Sequence, residues 1–229
     1  MKYEPLLPAC LGGNAKGLFP SFIPKTDETR VQVLQEVLNH YKGEKCYITE
    51  KLDGASATYY IRDGVFGVCS RNLDLMEDEH NSFWKVAREM DIENKLISLG
   101  KNIALQGELI GNGIQNNKLK IKGQTVRFFN AFDIDNNEYL SFKDMTILFS
   151  SLNLQSAPLI TDNYILENDI NELIKIATIK SNINNETWAE GIVIRPLQRK
   201  NGEVNEAFFN NAQVSFKAIN PEFLLKYGE

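Results

Sequence analysis

Charged and aromatic residues recur, in order along the chain, within or at the ends of short apolar segments. The segments are ITEKLDG at Ile48 to Gly54, SRN at Ser70 to Asn72, GELIG at Gly107 to Gly111, FFNAFD at Phe128 to Asp133, EGIVIR at Glu190 to Arg195 and SFKAIN at Ser215 to Asn220. A charge set into an apolar strand is costly unless a partner meets it. The fold these strands form therefore has to supply partners. Lys51 is the sharpest case, placed between Glu50 and Asp53, with Gly54 next, in a run that otherwise alternates like a β-strand. A lysine with a pKa of about 10.4 is protonated at neutral pH and has no lone pair to attack with. Desolvation and neighbouring cations favour the neutral amine, and lysines treated in this way form covalent intermediates. Lys-x-Asp-Gly alone is also what a surface turn looks like; the five segments that follow it change the odds.

Local patterns give a fold class. Val31, Leu34, Leu38 and Tyr41 stand at helical spacing after Thr26 and Asp27, either of which can cap, so a helix is expected from Thr26 to Tyr41. Asp63-Gly64 between two β-rich runs predicts a hairpin just after Lys51. Glu79 to Leu99 reads as one helix, with shorter helices near Ser141 to Leu152 and Asp169 to Ile179. IALQGELIG, VRFFNAFDI, EGIVIRP and AQVSFKAI read as strands. The sum is an α+β fold of largely antiparallel sheets flanked by helices.

Composition removes several function classes. With 229 residues and 43% hydrophobic content the chain can bury an ordinary core, and no 18-residue apolar run or signal peptide is present, so a soluble, cytoplasmic protein is expected. Cys10, Cys46 and Cys69 are odd in number and widely spaced, and His40 and His80 are the only histidines, which argues against zinc and against a disulfide framework. A net charge of -5 argues against coating nucleic acid through overall charge, so any such contact is local.

With all six segments in order, the sequence resembles the covalent nucleotidyltransferase superfamily of ATP-dependent ligases and capping enzymes. It resembles more closely the ATP-dependent RNA ligases that join 3′-OH and 5′-phosphate ends. The likeness spans nearly the whole chain, including FPSFIPKTDE at Phe19 to Glu28. It implies a ligase-type nucleotidyltransferase (adenylyltransferase, ATP-grasp-like) fold filling residues 1–229 as a single domain, with no appended OB or helical domain. A monomer is expected, with an accessory domain or partner chain left open.

The resemblance also implies roles. Lys51 attacks the α-phosphorus of ATP and leaves a lysyl-AMP. Glu50 accepts a hydrogen bond from the adenine amino group and Phe129 stacks on the purine. Asp53, Glu108 and Glu190 form an acidic cluster for Mg2+ or Mn2+, held through water, with a ribose contact an equal reading for Glu108. Arg71 and Lys217 face phosphates, and Lys217 is expected to depress the Lys51 pKa by repulsion. Arg195 is a further candidate for phosphate or RNA. The implied partners are RNA 5′-phosphate and 3′-OH ends. Where many RNA ligases have Lys-x-Lys in the last segment, Ser215 takes the first position and only Lys217 remains.

Lys118, Lys120 and Lys122 stand at period two, with Arg127 beyond, and on a strand they would form one basic face for backbone phosphates. Two alternatives share these features: a GTP-dependent capping guanylyltransferase, and a catalytically idle nucleic-acid end-binding module. An NAD-dependent DNA ligase is disfavoured, because the cysteine-rich zinc element of that group is missing.

Overall fold

The computed structural model describes residues 15–197 and 214–228. Two sheets carry the chain. In the first, seven strands run in the order β1 (Ala15–Leu18), β6 (Leu73–Leu75), β5 (Val65–Cys69), β4 (Ala55–Arg62), β7 (Ile103–Gly111), β8 (Gln124–Asp133) and β9 (Glu138–Tyr139). In the second, five run in the order β10 (Leu159–Ile165), β3 (Lys45–Lys51), β11 (Gly191–Pro196), β12 (Phe216–Ile219) and β2 (Thr29–Arg30). Every neighbouring pair is antiparallel except β12 with β2.

Alternation along the strands explains both sheets. Successive side chains point to opposite faces, and in the second sheet Cys46 and Ile48 of β3, Ile192 and Ile194 of β11, and Phe216 and Ala218 of β12 share one apolar cluster. Helices α1 (Gln35–Tyr41) and α5 (Ile170–Ala177) cover that face with Val37, Leu38, Leu173 and Ala177. Full burial of each Leu, Ile or Phe contributes about 1.5–3 kcal/mol. The intervening residues Thr49, Lys51, Val193, Arg195 and Lys217 face the other way, into a cleft.

The seven-stranded sheet repeats the arrangement. Tyr59, Leu105, Val126 and Phe128 pack with Trp84, Ala87, Leu96 and Phe149 from α2 (Ser82–Glu89), α3 (Ile92–Ile97) and α4 (Phe142–Ser151), while Ser56 and Glu108, register partners on β4 and β7, line the cleft. A bulge in the β7–β8 ladder, where Gln106 pairs Asn130 but Gly107 pairs Phe128, leaves Phe129 as the extra residue. A bulge re-aims a side chain; Phe128 stays in the core and Phe129 enters the cleft.

The Asp63-Gly64 hairpin forms between β4 and β5, with φ of 51° and 77° at the two central residues, the left-handed pair that a tight primed turn requires. The helices expected near Ser141 and Asp169 form as α4 and α5, each with that residue as a side-chain N-cap.

Four expectations are corrected. The helix from Thr26 begins only at Gln35, after a 3-10 turn at Val31–Val33, because Thr29 and Arg30 pair with Phe216 and Lys217 instead. Glu79 to Leu99 holds two helices, broken at Asp91, which adopts φ 54°. Lys51 lies at the end of its strand rather than in the middle. The segment from Lys118 to Lys122 is not a strand, since Lys120 has φ 56° and Lys118 follows a 3-10 turn, so the three lysines do not share a strand face. Strands β1, β2, β6, β9 and β10 and helix α6 (Pro221–Tyr227) were not expected, although Asn220 as cap and Pro221 in the first turn mark the start of α6.

Cys46 and Cys69 are buried free thiols; Cys10 falls outside the described residues, as do Ala212 and Gln213 of the expected last strand. No helix among the described residues is long and apolar enough to cross a membrane.

Between β3 and β4 the chain leaves one sheet and enters the other, and Gly54 makes the crossing. A Cβ there would lie 2.4 Å from the Leu109 carbonyl oxygen and 2.8 Å from Cγ of Glu108. We expect Gly54→Ala to destabilise the protein by about 1–3 kcal/mol, read as a lowered urea midpoint with unchanged slope.

Candidate active site

The cleft between the sheets has a volume of about 600 Å³. The eight residues given nucleotide or metal roles line it, namely Glu50, Lys51, Asp53, Arg71, Glu108, Phe129, Glu190 and Lys217, and so does the further candidate Arg195. Six elements and their adjoining loops contribute them, which is why the sequence spreads them over more than half its length.

Lys51 and Glu190 form the centre. β3 and β11 pair so that Lys51 lies opposite Gly191, and the Glu190 carboxylate at the start of β11 accepts from Nζ of Lys51 at 2.5 Å. Burial alone pushes the Lys51 ammonium toward neutrality, but Glu190, with Glu108 and Glu28 behind it, outweighs burial and holds the lysine above its ordinary value. This corrects the expectation that Lys217 lowers the Lys51 pKa. It is Lys217 that is pushed down, by burial and then by the charge of Lys51.

The carboxylates crowd. Burial raises Glu190 in spite of Lys51. Glu108 is pushed up to about 8 by burial, and the charges of Glu190, Glu28 and Asp53 add to the shift while Lys51 opposes it. Burial and mutual repulsion thus favour the protonated form of these carboxyls. Among the described residues no group of three or more His, Cys, Asp or Glu is close enough to ligate a metal directly. Magnesium keeps several waters and needs only one or two carboxylates, so the carboxylates of the cleft have the chemistry to hold a hydrated divalent cation. Asp53 accepts from Nζ of Lys118 at 2.8 Å, both residues being partly buried, and Lys118 lies over the rings of Phe223 and Tyr227 at 5.0 and 5.6 Å. Lys118 therefore serves the site from within, and Lys120 pairs with Glu186 at 2.9 Å at the surface.

Glu50 is 2% exposed. Its Oε2 accepts the Asn182 N–H at 2.8 Å, while its Oε1 has no hydrogen-bond partner among the described residues. Burial pushes its carboxyl up, restrained by Ser181 and Asn182. Arg71 reaches the Asp27 carboxylate at 2.6 Å and stays exposed at the rim.

Glu28 escaped sequence reasoning, although it ends the quoted FPSFIPKTDE stretch. Its carboxylate accepts from Nη2 of Arg195 at 2.7 Å and from Ser215 Oγ at 3.4 Å. Arg195, 1% exposed, lies 5.5 Å above the Phe129 ring. Arg195 is thus a buried brace of the site, its guanidinium meeting the Glu28 carboxylate. Arg30 was also missed; β2 pairs it with Lys217, whose pKa it lowers. A parallel two-residue strand carries no sequence signal that could have shown this.

The RNA ligase family model matches residues 44–219. No curated protein matches the sequence. Among solved structures, the Naegleria gruberi RNA ligase with PPi is 36% identical at a TM-score of 0.85, covering 100% of this chain and 65% of that one. A lysine-to-alanine mutant of that ligase with ATP and Mn is 35% identical at 0.85, and a lysine-to-methionine mutant with AMP and Mn is 35% identical at 0.84; each covers 99% of this chain and 64% of the other. The chain therefore belongs to the RNA ligase family. It spans just under two thirds of the length of these relatives.

The Glu108 shift predicts a pH dependence. Between its ordinary value near 4.5 and about 8, the folded protein holds a proton that the unfolded chain has released. Stability from this group is thus fully present below the lower value and is lost as pH rises through the upper one. Glu108→Gln abolishes this loss, so thermal melts at pH 5 to 9 should show the variant gaining on the wild type as pH rises. Parallel curves would contradict the shift.

Proposed function

We propose that the protein is an ATP-dependent RNA ligase that joins 5′-phosphate and 3′-OH ends through lysyl-AMP and AppRNA intermediates. The observation that carries the reading is the meeting of Lys51 with Glu190, Glu108, Lys217, Glu50 and Phe129 in one cleft. Support comes from family membership and from the ATP and AMP complexes of the Naegleria ligase.

In the free protein Lys51 is stored as an ammonium against Glu190. Bound Mg2+ or Mn2+ would neutralise phosphate and carboxylate charge, weakening the interactions that keep Lys51 protonated. Glu190 Oε2, at 2.5 Å, is the atom placed to take the Nζ proton. The amine then attacks the α-phosphorus, forming a P–N bond as the bond to the β-phosphate oxygen breaks; pyrophosphate leaves with the electron pair, and the nitrogen's excess proton passes to it or to water. Lys217, and Arg30 beside it, meet the charge that develops on the phosphates. An RNA 5′-phosphate oxygen next attacks the same phosphorus and returns the lysine. A 3′-OH attacks the activated phosphate and expels AMP.

Glu50 favours ATP over GTP. Its free Oε1 matches the amino group at position 6 of adenine, whereas guanine has an oxygen there that would face the carboxylate. An unmatched buried carboxylate costs roughly tenfold or more in binding. Incubation with α-labelled ATP and divalent metal should leave label on the denatured protein, lost in Lys51→Ala and at least about tenfold weaker with GTP. Equal or stronger labelling from GTP would favour the capping reaction. No label from either nucleotide, in folded protein offered both metals, would leave an end-binding module.

A further inference from the structure

A second cavity of about 440 Å³ opens beside β8, lined by Arg127, Ser150, Asn153, Gln155 and Ser156 together with side chains of α4. None of its lining residues is acidic. Arg127 is partly buried, its Nε is enclosed with no hydrogen-bond partner among the described residues, and burial pushes its pKa down. Desolvating a guanidinium without a counter-charge is costly, and an enclosed donor that is left unpaired calls for an acceptor. Hydroxyl and amide groups around a lone guanidinium make a set of donors suited to a phosphate oxygen.

The position narrows the ligand. The two segments that form this cavity also form the nucleotide cleft: Arg127 precedes Phe129 by two residues on β8, and Ser156 precedes Ala157, while Phe129 and Ala157 both line the cleft. Phe128 bonds across both segments, donating its N–H to the Gln155 carbonyl at 2.9 Å and accepting from the Ala157 N–H at 2.7 Å. A ligand reaching from one cavity to the other is a chain whose end lies in the cleft.

We propose that the Arg127 cavity binds an internal phosphodiester of the RNA strand whose end reacts at Lys51. The inference rests on the ligase reading and adds to it a backbone contact away from the reacting end. Of the four basic residues from Lys118 to Arg127 that the sequence offered for nucleic acid, this assigns the task to Arg127.

The test measures binding of a short oligoribonucleotide, with and without a 5′-phosphate, to wild type, Arg127→Ala and Ser150→Asp at several salt concentrations. Arg127→Ala should weaken binding roughly tenfold and flatten the log–log salt slope by about 0.7, one phosphate on a single strand. Ser150→Asp, which places a carboxylate beside the guanidinium, should weaken binding while keeping the thermal midpoint at or above wild type, so it answers the question even if Arg127→Ala folds poorly. Both losses should appear with and without the 5′-phosphate. Wild-type affinity and slope in Ser150→Asp would overturn the proposal, as would a loss confined to the 5′-phosphorylated oligonucleotide. Wild-type labelling by ATP, measured in the same preparations without RNA, reports separately on the ligase reading.

Discussion

Holding one ammonium among four carboxylates out of bulk water is the constraint on which the cleft depends. Lys51 shares its surroundings with Glu190, Glu108 and Glu28, and Asp53 lies close enough to affect two of them. Removing charges from water costs several kcal/mol per ion, and attraction repays this only with good geometry and further hydrogen bonds. The protein meets the requirement residue by residue. Glu28 receives Arg195, Asp53 receives Lys118, Glu190 receives Lys51, and Glu108 is left to ionise only near pH 8. The free protein thus meets three of the carboxylates with one cation each and the fourth with a proton.

That arrangement explains why the site was more legible than the fold around it. A charge at the end of an apolar strand stands out against its neighbours, so Lys51, Glu108, Glu190 and Lys217 could be picked out without knowing what they touch. Phe129 depended on a bulge that no local pattern announces, and the resemblance rather than alternation selected it. Glu28 and Arg30 lie on a stretch that looked helical because Val31, Leu34 and Leu38 are correctly spaced. Pairing with β12 overrode that spacing, since a parallel strand partner almost 190 residues away contributes nothing to local periodicity. The lysines from 118 to 122 misled for the converse reason. Their period of two was real, but left-handed residues on either side prevent a strand, and the first lysine was needed inside.

At the Ser215 end of the cleft, the charge that meets Glu28 is supplied by β11. Arg195 comes from the neighbouring strand and reaches the carboxylate that Ser215 touches only at 3.4 Å. Its planar fork can bond Glu28 while its face rests near Phe129, two tasks that a lysine's point charge would not combine.

Because β3, β11 and β12 turn alternate residues to helices and to the cleft, much of the chemistry is encoded as parity, with Glu50 beside Lys51 the exception. Lys51, Thr49, Val193, Arg195 and Lys217 share one face, and their neighbours Ile48, Ile192, Ile194 and Phe216 share the other. A single-residue deletion between Lys45 and Lys51 would leave composition and length almost untouched, yet it would exchange the two faces beyond it. Drift in this family should accordingly accept new residue types in these strands far more readily than changes in their length, and confine insertions to the connections between them.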